Sequence, residues 1–265
     1  MSPADPVKSK YKRLIPRLGA ALFWLAAWQG LSMLIGQEIL LVSPVVAMRT
    51  LWRLMGTADF YRAVLSSFGR ILLGFALATA AGVALSVLSG VFSPVKTLVE
   101  PLMHVIKATP VASFVILALI FIRARNLSVF ISFLMVLPIM YTNLTAGIAA
   151  ADPRLLQMAK VFRLSPLRTA FSVRLIAVYP YFLSACSLSL GMCWKAGVAA
   201  EVIGLPDKSI GEALYRAKLY FATPEVYAWT LAIILLSLAF EKGVLALTRR
   251  LGAAFAAQSE ERGVE

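Results

Sequence analysis

An all-α membrane protein with six transmembrane helices is the fold class this sequence predicts, and three observations predict it. Of 265 residues, 60% are hydrophobic and only 15% are charged, against roughly 25% charged in an ordinary soluble domain. The uncharged residues gather in six long runs rather than scattering as core positions. Lysine and arginine collect at the ends of those runs, as membrane orientation requires. The same composition excludes a disordered or collagen-like chain. Two cysteines cannot staple a disulfide scaffold, and Cys186 and Cys193 lie seven positions apart, about 10.5 Å along a helix, too far to bridge each other. The net charge of +13 sits at span ends, not in a basic stripe interleaved with aromatics, so it does not point to nucleic acid.

The first span is Leu18–Gln37, 20 uncharged residues after a basic tail over 1–17. It exceeds a secretory signal core and no A-x-A-like site follows, so it reads as a retained first helix. Ser43-Pro44 then signals a helix start, serine as N-cap and proline at the first helical position. Val45, Met48, Trp52 and Met55 share one face of that helix, which predicts an amphipathic element at the outer interface. The second span covers 71–95, with Arg70 as an anchor at its edge. Its residues Gly74, Ala78, Gly82, Ser86 and Gly90 recur every four positions. Small residues so spaced let another helix backbone come close; this is a packing face, with a pathway lining as the sharper alternative. Ala185, Ser189, Cys193 and Gly197 repeat the device in the fifth span.

The third span, 108–122, is marginal at 15 residues and is expected to extend back through Pro101–Ile106. The fourth, 126–151, and fifth, 175–194, are long enough to cross about 30 Å of hydrocarbon. The sixth, 226–240, has 15 residues and reaches Leu247 if Glu241 and Lys242 sit at the interface or pair. The spans thus occupy 18–250, with a second tail over 251–265. With the N-terminus inside, the inner segments carry sixteen lysines and arginines and the outer loops eight, which places both termini in the cytoplasm.

The inner loop over 152–176 is the most informative segment. Asp152-Pro153 and Ser165-Pro166 are successive N-cap/proline starts, predicting short helices over 153–163 and 166–176. Leu155, Leu156, Ala159 and Phe162 form an apolar stripe between Arg154, Lys160 and Arg163. Such a helix either lies on lipid or docks in another protein's groove.

The run Asp152-Pro153-Arg154-Leu155-Leu156-Gln157-Met158-Ala159, continuing through Ser165 to Pro180, resembles the "EAA" loop of the membrane subunits of binding-protein-dependent ATP-binding-cassette (ABC) importers. Gln157 stands where that family has glutamate, Met158 where it has its first alanine, and Arg163 where it has a glycine at the bend. Ser66–Phe75, Ala108–Ala112 and the stretch from Gly191 through Trp194 to Glu201 and Gly204 are similar to further family segments, the last to the branch serving nitrate, sulfonates, taurine and pyrimidine thiamine precursors. The resemblance spans about residues 15–250. It implies a type I permease bundle in the bacterial inner membrane, paired with a second copy, two separate ATPase subunits docked on the 152–176 loops, and an external substrate-binding protein. The coupling residues it implies are Asp152, Leu155, Leu156, Gln157, Ala159, Phe162, Arg163 and Ser165.

The chain carries no G-x-x-x-x-G-K-[ST] phosphate loop, so ATP must be hydrolysed by a partner. No metal-ligand cluster or cofactor motif is present, and the single histidine, His104, reads as a packing residue. Ionisable residues inside spans are the remaining functional candidates: Lys195, either contacting an anionic solute, snorkelling outward or pairing with Glu201, six positions on; and Glu100 with Lys107, seven apart on one helix face. A self-sufficient secondary transporter is the alternative class, though no internal duplication is seen.

Overall fold

The computed structural model describes residues 6–169 and 173–261. Every regular element among them is a helix: α1 (Pro6–Ile35), α2 (Pro44–Met55), α3 (Ala58–Val91), α4 (Ser93–Ala108), α5 (Val111–Phe121), α6 (Ala124–Ala149), α7 (Pro153–Val161), α8 (Pro166–Thr169), α9 (Leu175–Gly204), α10 (Ile210–Leu219) and α11 (Thr223–Glu261). The two expected tails are helical where described, 6–17 opening α1 and 251–261 closing α11. Their outer parts, 1–5 and 262–265, and positions 170–172 of the inner loop, lie outside the described residues.

The chain divides into two compact units. The first takes its described residues from Met1–Phe60 and Leu214–Ala232. Here Gly36, at φ 64°, turns the chain after α1, and the turn is tied back by Trp28 Nε1 donating to the Val42 carbonyl at 3.0 Å and Ser32 Oγ donating to the Leu41 carbonyl at 3.0 Å. Trp28 stacks on Tyr227, and Phe60 on Trp229. Ser43 caps α2 by accepting from the Val46 N–H. Ala47, Thr50 and Leu51 of α2 turn inward, while Val45, Met48, Trp52 and Met55 are exposed. The face the sequence marked as interfacial therefore points outward.

The second unit, Tyr61–Ala213 and Ile233–Glu265 where described, is built around α6. This helix is buried along its length and packs against α9. Close approach there depends on the small-residue stripes. A Cβ at Gly74 of α3 would meet the Val129 carbonyl of α6 at 2.5 Å, and one at Gly82 would meet Met140 Cβ at 2.6 Å. Further along, Ser86 Oγ lies 3.2 Å from the Tyr141 carbonyl, Gly90 faces Ile148, and Ala78 is fully buried. On α9, Ala185, Ser189 and Cys193 are fully buried, Gly197 meets Ile71 and Ser132, and Ser132 Oγ donates to the Cys193 carbonyl at 3.2 Å. Buried Trp194 joins a ring cluster with Phe68 and Phe240, and Phe75 completes it.

The six-span count needs correction. Among the described residues four helices are long and apolar enough to cross a membrane: Ala58–Val91, Ala124–Ala149, Leu175–Gly204 and Thr223–Arg250. The expected third span is not straight, because α4 and α5 meet at 105°. Pro110 cannot donate to a continuing helix, and it holds Thr109 extended at φ −79°, ψ 129°. Counting that pair gives five. The apolar part of α1, Gly19–Ile35, would be a sixth, but at 17 residues it spans only about 25 Å. Two smaller expectations also change. His104 is exposed rather than packed. Glu241, on the extended last helix, accepts from Ser187 Oγ at 3.0 Å instead of standing at an interface.

Candidate functional site

The inner loop is organised by its two caps. Asp152 Oδ1 accepts from the Arg154 N–H at 2.8 Å, and Pro153 opens α7 behind it. Ser165 Oγ accepts from the Arg168 N–H at 3.3 Å at the start of α8. Between them α7 ends in a Schellman motif: the Leu164 N–H donates to the Ala159 carbonyl at 2.9 Å and the Arg163 N–H to the Lys160 carbonyl at 3.0 Å. Arg163 lies at φ 52°, the left-handed region that glycine enters without a Cβ penalty. The sharp bend therefore forms with arginine at the glycine position. The second helix is shorter than expected, Pro166–Thr169 rather than 166–176.

The stripe on α7 is also rearranged. Leu155 and Phe162 are exposed, at 47% and 70%, and Met158 and Val161 are exposed beside them. Ala159 is 4% exposed and turns into its own chain, and Leu156 is half-buried. The outward apolar row is thus Leu155, Met158, Val161 and Phe162, with exposed Gln157 alongside. Heptad-like spacing identified the stripe but not which part of it turns inward.

Lys195 and Glu201 do not meet as a pair. Glu201, fully buried near the end of α9, is held from other elements. Ser67 Oγ donates to its Oε2 at 2.6 Å, Arg70 Nη1 donates to its Oε1 at 3.4 Å, and the Gly211 N–H donates to its Oε2 at 3.4 Å. Ser67 Oγ accepts in turn from the Ile210 N–H at 2.9 Å, and Arg70 Nη2 donates to the Asp207 carbonyl at 3.4 Å. Position 211 must be glycine for this closure, because a Cβ would run into the Glu201 Cβ and backbone. Arg70 is therefore no edge anchor: its side chain is 14% exposed, twelve residues into α3, and it neutralises a buried carboxylate. The signal available in sequence was the general one, that a carboxylate inside a span needs a partner. Lys195 stays exposed.

Glu100 and Lys107 also separate. Glu100 pairs with Lys96 at 3.6 Å, one turn earlier on α4. Lys107 Nζ instead donates to Thr142 Oγ1 on α6 at 2.7 Å, and that hydroxyl donates to the Pro138 carbonyl at 2.6 Å. No group of three or more metal-ligating side chains occurs among the described residues.

Residues 71–253 match the family described as binding-protein-dependent transport system inner membrane component. Relatives include a nitrate import permease protein of Leptolyngbya laminosa, 26% identical over 203 residues that cover 72% of this chain and 71% of that protein. A bicarbonate transport system permease protein of Synechocystis sp. is 24% identical over 58% of this chain and 55% of its own length. Among solved structures, the crystal structure of an amino acid ABC transporter with histidines superposes with a TM-score of 0.56 at 18% identity, covering 77% of this chain and 96% of that one. That likeness gives the fold, an ABC transporter permease bundle. With the match running from the second span through the last, this chain belongs to the family of binding-protein-dependent transport system inner membrane components.

Proposed function

We propose that the chain is the permease subunit of an ATP-driven importer for a small oxyanion, working by alternating access. Two copies pair so that the pathway runs between equivalent bundles. Two ATPase subunits dock on α7 and α8 from the cytoplasm, and an external binding protein delivers the solute. The four long helices, the bent α4–α5 pair and the apolar part of α1 make six crossings, with both termini inside the bacterial inner membrane. Family membership disfavours a self-sufficient secondary transporter, since family members are described as components that depend on a binding protein. The oxyanion reading is supported by relatives whose printed names are nitrate and bicarbonate permeases; Lys195 is a candidate lining group.

The observation that carries the coupling role is the outward row Leu155, Met158, Val161 and Phe162 on a short capped helix. Apolar residues exposed together mark an interface. Closure of the ATPase pair on ATP moves this helix as a rigid body and the bundle follows. In the test, Phe162→Asp and Leu155→Asp permeases are purified with the ATPase. Each is expected to lose ATPase retention and the stimulation of hydrolysis by loaded binding protein, while membrane insertion persists. ATPase retention at the parent level by both variants would reject docking at α7.

A further inference from the structure

Lys107 stands on the second unit's inner half, where three features coincide. It ends α4 two residues before the 105° break at Thr109-Pro110. Its ammonium meets Thr142, which lies seven residues, about 10 Å, from the end of α6, and so within the span rather than at its mouth. Third, it lacks a counter-charge: the carboxylate expected to pair with it is taken by Lys96, and among the described residues no ion pair involves Lys107. Lys107, Thr142 and Pro110 are all exposed, so the ammonium faces open space beside the break.

The Thr142 hydroxyl is polarised as well as positioned. Its proton is committed to the Pro138 carbonyl, so its lone pairs face Lys107 and fix one of three ammonium donors. The remaining donors have no protein acceptor. An ionisable group at membrane depth is costly unless it serves a pathway or finds a partner. The carbonyls at the end of α4 favour a cation there, but they lie behind the ammonium and leave its open side unfilled.

We infer that Lys107, oriented by Thr142, is an anion-contacting position of the translocation pathway that reads the negative charge of a small oxyanion such as nitrate or bicarbonate. The inference rests on the oxyanion reading above and adds to it the residue that recognises the charge. A free oxyanion and a lipid phosphate share the chemistry that would fill this site, and the free oxyanion is favoured because Lys107 is held against α6 rather than extended along the helix toward a headgroup.

The test uses the assembled importer in proteoliposomes, with nitrate and bicarbonate as probes and solute taken up per ATP hydrolysed as the readout. Lys107→Met is expected to lower that yield by about tenfold or more, the scale of one lost charge-assisted contact. Stimulation of ATP hydrolysis by loaded binding protein should persist, which separates this loss from misfolding or uncoupled docking. Lys107→Arg should recover most of the yield, and Thr142→Val, which keeps the charge but frees the side chain, should fall between. An unchanged yield in Lys107→Met overturns the assignment. So does a loss that appears only in vesicles containing phosphatidylglycerol and vanishes in pure phosphatidylcholine, because lipid phosphate would then be the ligand. If the wild-type importer hydrolyses ATP yet takes up neither probe, the oxyanion reading itself fails and Lys107 falls with it; uptake by wild type with indifference at Lys107 removes the inference alone.

Discussion

Removing the Glu201 carboxylate should be among the most damaging single changes in this chain. The group is fully buried and accepts from Ser67, Arg70 and Gly211. In Glu201→Ala the Arg70 guanidinium keeps only the Asp207 carbonyl and becomes an uncompensated charge that is 14% exposed. Leaving one member of a buried pair alone costs ~3–5 kcal/mol. For a chain of this length that corresponds to a fall in thermal midpoint of about 6–20 °C. Glu201→Gln keeps the volume and an acceptor for Ser67, so its loss should be smaller, ~1–3 kcal/mol. The decisive arm is the double variant Arg70→Met with Glu201→Leu, which replaces the pair by apolar side chains of similar size. Such replacements are often near neutral, so the double should be more stable than Glu201→Ala, with a coupling energy of ~2 kcal/mol or more. Thermal unfolding in detergent, followed by reactivity of the buried Cys193, measures all of these. A Glu201→Ala midpoint within about 2 °C of the parent, less than ~1 kcal/mol on the same scale, or losses that simply add in the double variant, would refute the idea that this pair holds the α9–α10 connection to α3.

Two further outcomes are expected. Arg163→Gly should stabilise the end of α7 by ~1 kcal/mol, because the left-handed backbone at φ 52° then carries no Cβ; slower amide exchange at Leu164, whose N–H closes the motif, reads it, and faster exchange would count against the strain argument. In sealed cells lacking Cys186 and Cys193, a membrane-impermeant thiol reagent should reach a cysteine at exposed position 208 and miss one at exposed position 160. Efficient external labelling at 160 would reverse the orientation.

What the sequence determined by itself was local. Ser43-Pro44, Asp152-Pro153 and Ser165-Pro166 all start helices where expected, because a cap needs only a side-chain oxygen and a proline within one turn. The four-residue recurrence of Gly74, Ala78, Gly82, Ser86 and Gly90 already defined a close-approach face, since that spacing is a property of one helix. Spacing along a helix says which residues share a face, not what the face meets. That Ala159 turns inward while Phe162 turns outward was decided by the packing of α7 on its own chain. That Glu201 takes Arg70, 131 positions earlier, rather than Lys195 six positions away, was decided by where α3 and α9 lie side by side. The bend at Pro110 was legible as a proline but not as a 105° turn, because proline removes a hydrogen bond without fixing the direction in which the helix resumes. Lys107 looked like a partner for Glu100 on the wheel of α4, and only the approach of α6 gave it Thr142 instead. Charges inside a span choose partners across helices, where the energy of leaving them unpaired is largest, and that choice is made by tertiary contact alone.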